Sequence, residues 1–150
     1  METEELVRRY TEAVARNDLD TLTAMRHPDW HEDWPQSGER VPNDAAYRQI
    51  HGAFLGGMPR ADIKEVAGAD DRWVMTPSMT VQRIAGSGDV WFAEGVNTYP
   101  DGRVYLVATL CRLRDGRVWR QTTYFAERFD APEWRAPYVV PIDPVERPAG

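Results

Sequence analysis

A single cysteine, Cys111, stands among 150 residues, so no internal disulfide can staple the chain. It lies between Leu110 and Arg112 in a strand-like segment and reads as a small buried hydrophobe rather than a reactive thiol. No stretch approaches the ~18 uninterrupted apolar residues of a membrane span, and the opening METEELVRRY is charged and helical in pattern. The expectation is a soluble, cytoplasmic protein with no membrane partner. Basic residues are outnumbered, 18 against 24 acidic ones, for a net charge of −6, and no basic stripe is visible, so nucleic acid is not expected as a partner. Only one of the basic residues, Lys64, is lysine, and the arginines are scattered. Histidine is also scarce. His27 and His31 alternate with Asp29 and Asp33, which invites a metal reading, but Pro28 interrupts them and strand neighbours two apart lie ~6.5 Å from each other. No further His or Cys cluster completes a shell, so the segment reads as a solvated strand face, and neither a metal nor a cofactor is expected.

Aromatic residues are what the chain has in plenty. Trp30, Trp34, Trp73, Trp91, Tyr99, Tyr105, Trp119, Tyr124 and Phe125 fall in strand-like segments, with Tyr10 and Phe54 on helical ones. Together they exceed what a core of this size requires. Large rings with one polar handle either fill a core or line a pocket, and pockets are mostly apolar with a few placed polar groups.

Length and a hydrophobic content of 42% fit one domain, able to bury ~70% of its unfolded surface. Residues 4–16 place Leu6, Val7, Tyr10, Ala13 and Val14 on one helical stripe that Asn17 ends. Asp18 or Asp20 caps a short second helix through Met25, followed by a strand at about 29–34 and a third helix at 43–55. Beyond Pro59 the period is two, with strands expected at 62–66, 72–84, 90–99, 104–114 and 118–128. Pro100-Asp101-Gly102 and Asp115-Gly116 are the clearest hairpin turns. Three helices followed by an antiparallel meander make an α+β layout, with the helices on one face of a curved sheet. Residues 1–136 form the expected domain; 137–150, with Pro137, Pro141, Pro144 and Pro148, form an extended tail.

Alternation sorts the polar groups by face. In the first strand Trp30, Glu32 and Trp34 share one side, leaving Glu32 a carboxylate between two indoles. Desolvation there raises its pKa and fits it for proton transfer; the alternative is an arginine partner or a rim position. Tyr105, Val107, Thr109, Cys111 and Leu113 form one face of a later strand. Across the turn, Trp119, Gln121, Thr123 and Phe125 oppose Val118, Arg120, Thr122 and Tyr124. Both faces are partly apolar, so one is expected to cover a pocket and the other to meet a second copy in a homodimer. Glu94 reads as an ion-pair partner for Arg112 or Arg114.

The segments LVRRYTEAVARNDLDTLTAM, PDWHEDWPQSGERV and LCRLRDGRVWRQTTYF resemble the nuclear transport factor 2-like superfamily, and within it the SnoaL-like polyketide cyclases and ketosteroid isomerases. The resemblance implies a cone of three N-terminal helices on a strongly curved, mostly antiparallel sheet, and a small apolar molecule as ligand. It also implies Tyr10 as a hydrogen-bond donor to a developing oxyanion. The isomerase base falls at Trp34 and the second oxyanion acid near Thr109, while the cyclase histidine and acid fall at Gln121 and Thr123. What remains is an aromatic cavity, with Glu32 and Tyr10 as the catalytic candidates. Trp30, Trp34, Phe54, Tyr105, Thr109, Trp119, Gln121, Thr123 and Phe125 are its expected lining. The function expected is that of a cofactor-independent isomerase, cyclase or lyase on a carbonyl-bearing ring compound, or of a non-catalytic binder with the same fold.

Overall fold

The helical half forms where apolar spacing and end signals agree. A computed structural model describes residues 2–53, 60–63 and 83–142. Helix α1, Thr3–Arg16, buries Leu6, Val7, Tyr10 and Ala13 along one side. Asn17 closes it at φ 54°, a left-handed conformation that asparagine tolerates, and the Asp18 N–H reaches back to the Ala13 carbonyl at 2.9 Å. Asp18 then caps α2, Leu19–Met25, accepting from the Thr21 N–H at 3.2 Å and its hydroxyl at 2.7 Å. Helix α3, Asp44–Ala53, starts where Asn43 Oδ1 accepts from the Ala46 N–H at 2.8 Å.

The strands are β1, Arg26–Trp34; β2, Glu39–Val41; β3, Arg60–Ile63; β4, Arg83–Ser87; β5, Val90–Thr98; β6, Val104–Arg114; and β7, Arg117–Glu127. Among the described residues they form one seven-stranded sheet in the order β2-β1-β7-β6-β5-β3, with β4 also paired to β5. Every pairing is antiparallel except β1 with β7. That parallel pair is how the strand between the helices enters a sheet otherwise built as a meander. The β6–β7 turn needs two left-handed residues, which Asp115 at φ 53° and Gly116 at φ 69° supply.

The result is an α+β cone with an open, mostly antiparallel sheet, as expected. The first strand begins three residues earlier than its alternation suggested, at Arg26. Of the strands expected at 62–66 and 72–84, the described parts are β3 and β4; Phe54 and Trp73 lie outside the described residues. A 3₁₀ turn, Glu133–Tyr138, straddles the boundary expected at residue 136. Among the described residues Leu22, Trp30 and Val118 are the largest fully buried side chains, and they sit where the helices meet β1 and β7.

Candidate functional site

Between α1, α3 and the concave face of the sheet lies a cavity of about 410 Å³, within the ~300–1,000 Å³ usual for small-molecule sites. Among the described residues its apolar wall includes Val14, Trp34, Ile50, Tyr105, Val107 and Phe125. Trp34 meets Phe125 edge to face at 6.1 Å, a preferred aromatic geometry. The alternation of β6 is as read: Tyr105, Val107, Thr109 and Cys111 all line the cavity. Burial pushes the Cys111 thiol up to about 12, so it stays a protonated hydrophobe.

Glu32 enters this wall from the middle of β1 and is only 6% exposed. Its Oε2 accepts from the Thr123 hydroxyl at 2.6 Å, and Thr123 Oγ1 lies 3.1 Å from Thr109 Oγ1 on the neighbouring strand. Burial raises the Glu32 pKa above its ordinary value, against the opposing pull of the Thr123 hydrogen bond and of Arg26.

A second network runs beneath it, and obligatory donors fix its direction. Arg26 Nε donates to the Tyr10 hydroxyl at 2.9 Å, Tyr10 donates to Gln121 Oε1 at 2.5 Å, and Trp30 Nε1 donates to the same oxygen at 2.8 Å. Neither a guanidinium nor an indole N–H can accept, so Tyr10 must give its proton to Gln121, and the Gln121 atom between two donors must be oxygen. Tyr10 lines the cavity, but its hydroxyl is occupied on both sides. Among the described residues the cavity wall also carries the Gln121 amide and the Trp34 indole N–H, the latter buried without a hydrogen-bond partner.

Arg26, only 3% exposed, is the base of that network. It lies 3.7 Å from the Trp30 ring and 3.9 Å from the Tyr47 ring, and Nη1 binds Asp44 Oδ1 at 2.7 Å. Burial works against its charge, but Tyr10, Tyr47 and Asp44 outweigh that and hold its pKa above the ordinary value.

Two expected lining residues do not reach the cavity. Trp30 keeps to the inner face, but it is 1% exposed, packed edge to face on Tyr47 at 5.7 Å beneath the floor. Trp119 is displaced by a bulge: Arg112 pairs with Arg120 while Leu113 pairs with Val118, so β7 carries one extra residue there. Val118 takes the inward position, and Trp119 stacks instead on Arg120 at 3.9 Å. Glu94 lines the cavity, and register sets it opposite Ala108 while Arg112 stands opposite Val90, so the strands do not bring Glu94 and Arg112 together as expected.

Sequence reading missed Arg26, Tyr47 and His51. Tyr47 and His51 share the inward face of α3 by their i, i+4 spacing, with rings stacked at 3.9 Å. The His51 Nδ1 lies 3.0 Å from the Tyr47 carbonyl, which only accepts, so Nδ1 carries the proton and Nε2 the lone pair. Burial lowers its pKa, with Arg26 adding to the effect, so the ring on the cavity wall is neutral. Among the described residues no group of three or more His, Cys, Asp or Glu side chains converges as a metal site. His27 instead lies 3.3 Å from Asp115, and Asp33 is held by Arg40 at 2.6 Å. Among the described residues no helix is long and apolar enough to cross a membrane.

Comparison with known proteins agrees with this fold. No curated protein matches the sequence. A nuclear transport factor 2-like protein of unknown function from Burkholderia xenovorans is 25% identical over 93% of this chain and 94% of its own, with a TM-score of 0.69. A putative ketosteroid isomerase from Kribbella flavida has the same fold at 18% identity, with a TM-score of 0.72 over 94% of this chain and 90% of its own. The family model for the SnoaL-like domain matches residues 7–121, and the chain belongs to that family.

Proposed function

We propose that the protein is a cofactor-independent acid/base enzyme of the isomerase, cyclase or lyase kind, acting on a mostly apolar ring compound that bears a carbonyl. One observation carries this reading: a buried carboxylate with a raised pKa, Glu32, opens onto an aromatic cavity of about 410 Å³. A carboxylate in that setting is basic enough to take a proton from carbon beside a carbonyl, and its conjugate acid is strong enough to return it. The electron pair left on carbon delocalises onto the carbonyl oxygen, where the Gln121 amide N–H₂ is suited to bind the developing charge. Tyr10 and Arg26 act through Gln121 by holding its oxygen side fixed. Thr109 and Thr123 orient the Glu32 carboxylate, and neutral His51 is a second proton carrier on the α3 wall.

The Kribbella flavida relative named a putative ketosteroid isomerase lends support to ring ketones as substrates. A non-catalytic binder is the second reading, favoured by the mutual engagement of Tyr10 and Gln121, which leaves the cavity fewer free donors. Thermal-shift screening against steroid, polyketide and terpenoid ketones identifies ligands, since one present at about a hundred times its Kd stabilises by ~2.7 kcal/mol. Solvent deuterium exchange into each hit follows. The enzyme reading expects exchange that Glu32→Gln abolishes while binding persists; binding with no exchange in the wild type favours the binder.

A homodimer through the outer sheet face belongs to the same proposal, supported by the exposure of Leu106 and Tyr124 there. Tyr124→Glu is expected to convert the dimer to a monomer in analytical ultracentrifugation.

A further inference from the structure

The outer face of the sheet holds a second recess, of about 290 Å³, separate from the aromatic cavity. Strand register builds it. Arg112 on β6 stands opposite Arg120 on β7, and Arg120 stands opposite His31 on β1. Three basic side chains therefore form a row across three strands, at the ~4.8 Å spacing of neighbouring strands. Like charges directly opposite one another destabilise a strand pair, and among the described residues neither Arg112 nor Arg120 forms an ion pair. Arg40 reaches the same recess already neutralised, its Nε and Nη2 on Asp33 at 2.6 and 3.0 Å. An excess of two positive charges is left over.

The recess is also built to hold its charges in position. Trp119, set free by the bulge in β7, braces the Arg120 guanidinium at 3.9 Å. Thr122 contributes a hydroxyl, and His31 Nδ1 is buried without a hydrogen bond, 3.6 Å from Asp33 Oδ1. The groups facing His31 are Asp33, Arg40 and Arg120; burial is the main cause that lowers its pKa, with Arg40 and Arg120 adding to it and Asp33 opposing.

We propose that this recess is a binding site for a phosphate-type dianion, with Arg112 and Arg120 as its principal ligands. Two forked guanidinium groups match the charge and the oxygen geometry of a phosphoryl group better than those of a monocarboxylate. The site is independent of the proton chemistry proposed for Glu32. Arg112 lies about 20 Å along β6 from Leu106 at ~3.4 Å per residue, whereas Thr122 is only two residues along β7 from Tyr124, so the recess borders the proposed dimer face.

The test is an NMR pH titration of the histidine side chains in the full chain, with inorganic phosphate, a phosphomonoester such as glycerol phosphate, or acetate, each against sodium chloride at matched ionic strength. Phosphate is expected to raise the His31 midpoint saturably and leave that of His51, in the cavity, unchanged. Arg112→Gln with Arg120→Gln is expected to weaken the response at least tenfold, while Arg117→Gln, outside the recess, keeps it. Tighter binding of the phosphomonoester assigns the site to an organic phosphate, and tighter binding of inorganic phosphate to the free ion; both support it. A His31 response equal to that in chloride, or matched by acetate, overturns the proposal. So does a response that survives the double variant, which means an adventitious ion only.

Discussion

On the concave face of the sheet Arg26, Tyr10, Gln121 and Trp30 are tied into one network by donors that cannot reverse. On the outer face, only a residue or two away along the same strands, Arg112 and Arg120 stand side by side, and among the described residues neither forms an ion pair. The difference follows from water. A polar group removed from solvent costs about 1–3 kcal/mol if it lacks a partner, so most inner groups are satisfied locally, and Arg26 Nη2 and the Trp34 indole N–H stand out as buried donors without a hydrogen bond. An exposed arginine keeps its hydration, and its repulsion from a neighbour is softened by solvent and salt. Polar groups within the cavity wall are consequently few and oriented, and those outside are many and adjustable.

This contrast breaks most sharply at Glu32, the one carboxylate on the concave face of β1. Glu32→Gln keeps the shape and removes the proton carrier, and is expected to lower turnover on an accepted substrate by about 10²–10⁴-fold with little change in binding. Next in size is Trp30→Ala, which opens a cavity under the floor and leaves Gln121 with one donor fewer. A loss of about 3–5 kcal/mol in chemical denaturation is expected. Tyr10→Phe removes only a hydroxyl but orphans Arg26 Nε and leaves Gln121 Oε1 with Trp30 as its one remaining donor, costing about 1–3 kcal/mol. If Tyr10 acts through Gln121 as argued, its effect on kcat is smaller than that of Glu32→Gln and is reproduced by Trp30→Phe, which removes the other donor to the same oxygen.

Acidity separates the concave groups further. The folded pKa of Glu32 lies above its ordinary 4.5, so the stability linked to its neutral form is complete below that pH and is lost as pH rises through the raised value. His51 runs the other way: its folded pKa lies below 6.5, so the stability linked to its neutral ring is complete above that pH and is lost as pH falls through the lowered value. Melting temperature against pH is therefore expected to decline on both sides. Glu32→Gln is expected to flatten the alkaline decline, and His51→Gln to lessen the acid one, to which the lowered pKa values of His31, Asp33 and Asp44 also contribute.

Much of the concave face was legible in the sequence because alternation survives wherever strands pair regularly. Glu32 beside Trp34, Thr109 with Tyr105, and Gln121 with Thr123 and Phe125 all reached one cavity by parity alone. Trp119 did not, because a single inserted residue inverts parity and no local signal in Arg117–Arg120 announces it. Arg26 was hidden for a different reason. Its burial depends on Trp30, Tyr47 and Asp44, which come from β1 and α3 and meet only after folding. The arginines that look scattered along the chain form a row for the same reason, since adjacency across strands is set by register rather than by sequence distance.

The smallest expected effect sharpens the comparison from its outer side. Replacing a polar residue of the concave network destabilises, whereas Arg112→Gln relieves a like-charge pair and is expected to stabilise by about 0.3 kcal/mol at low ionic strength. Salt should erase that gain as the screening length falls from about 10 Å at 0.1 M to about 3 Å at 1 M. Phosphate should do more than erase it. If the recess binds a dianion, the wild type gains stability that grows with phosphate concentration while Arg112→Gln gains less, so the order of the two melting temperatures reverses. Chloride at equal ionic strength can bring the two together but cannot invert them, and an order that phosphate leaves unchanged marks the arginine row as a solvated surface.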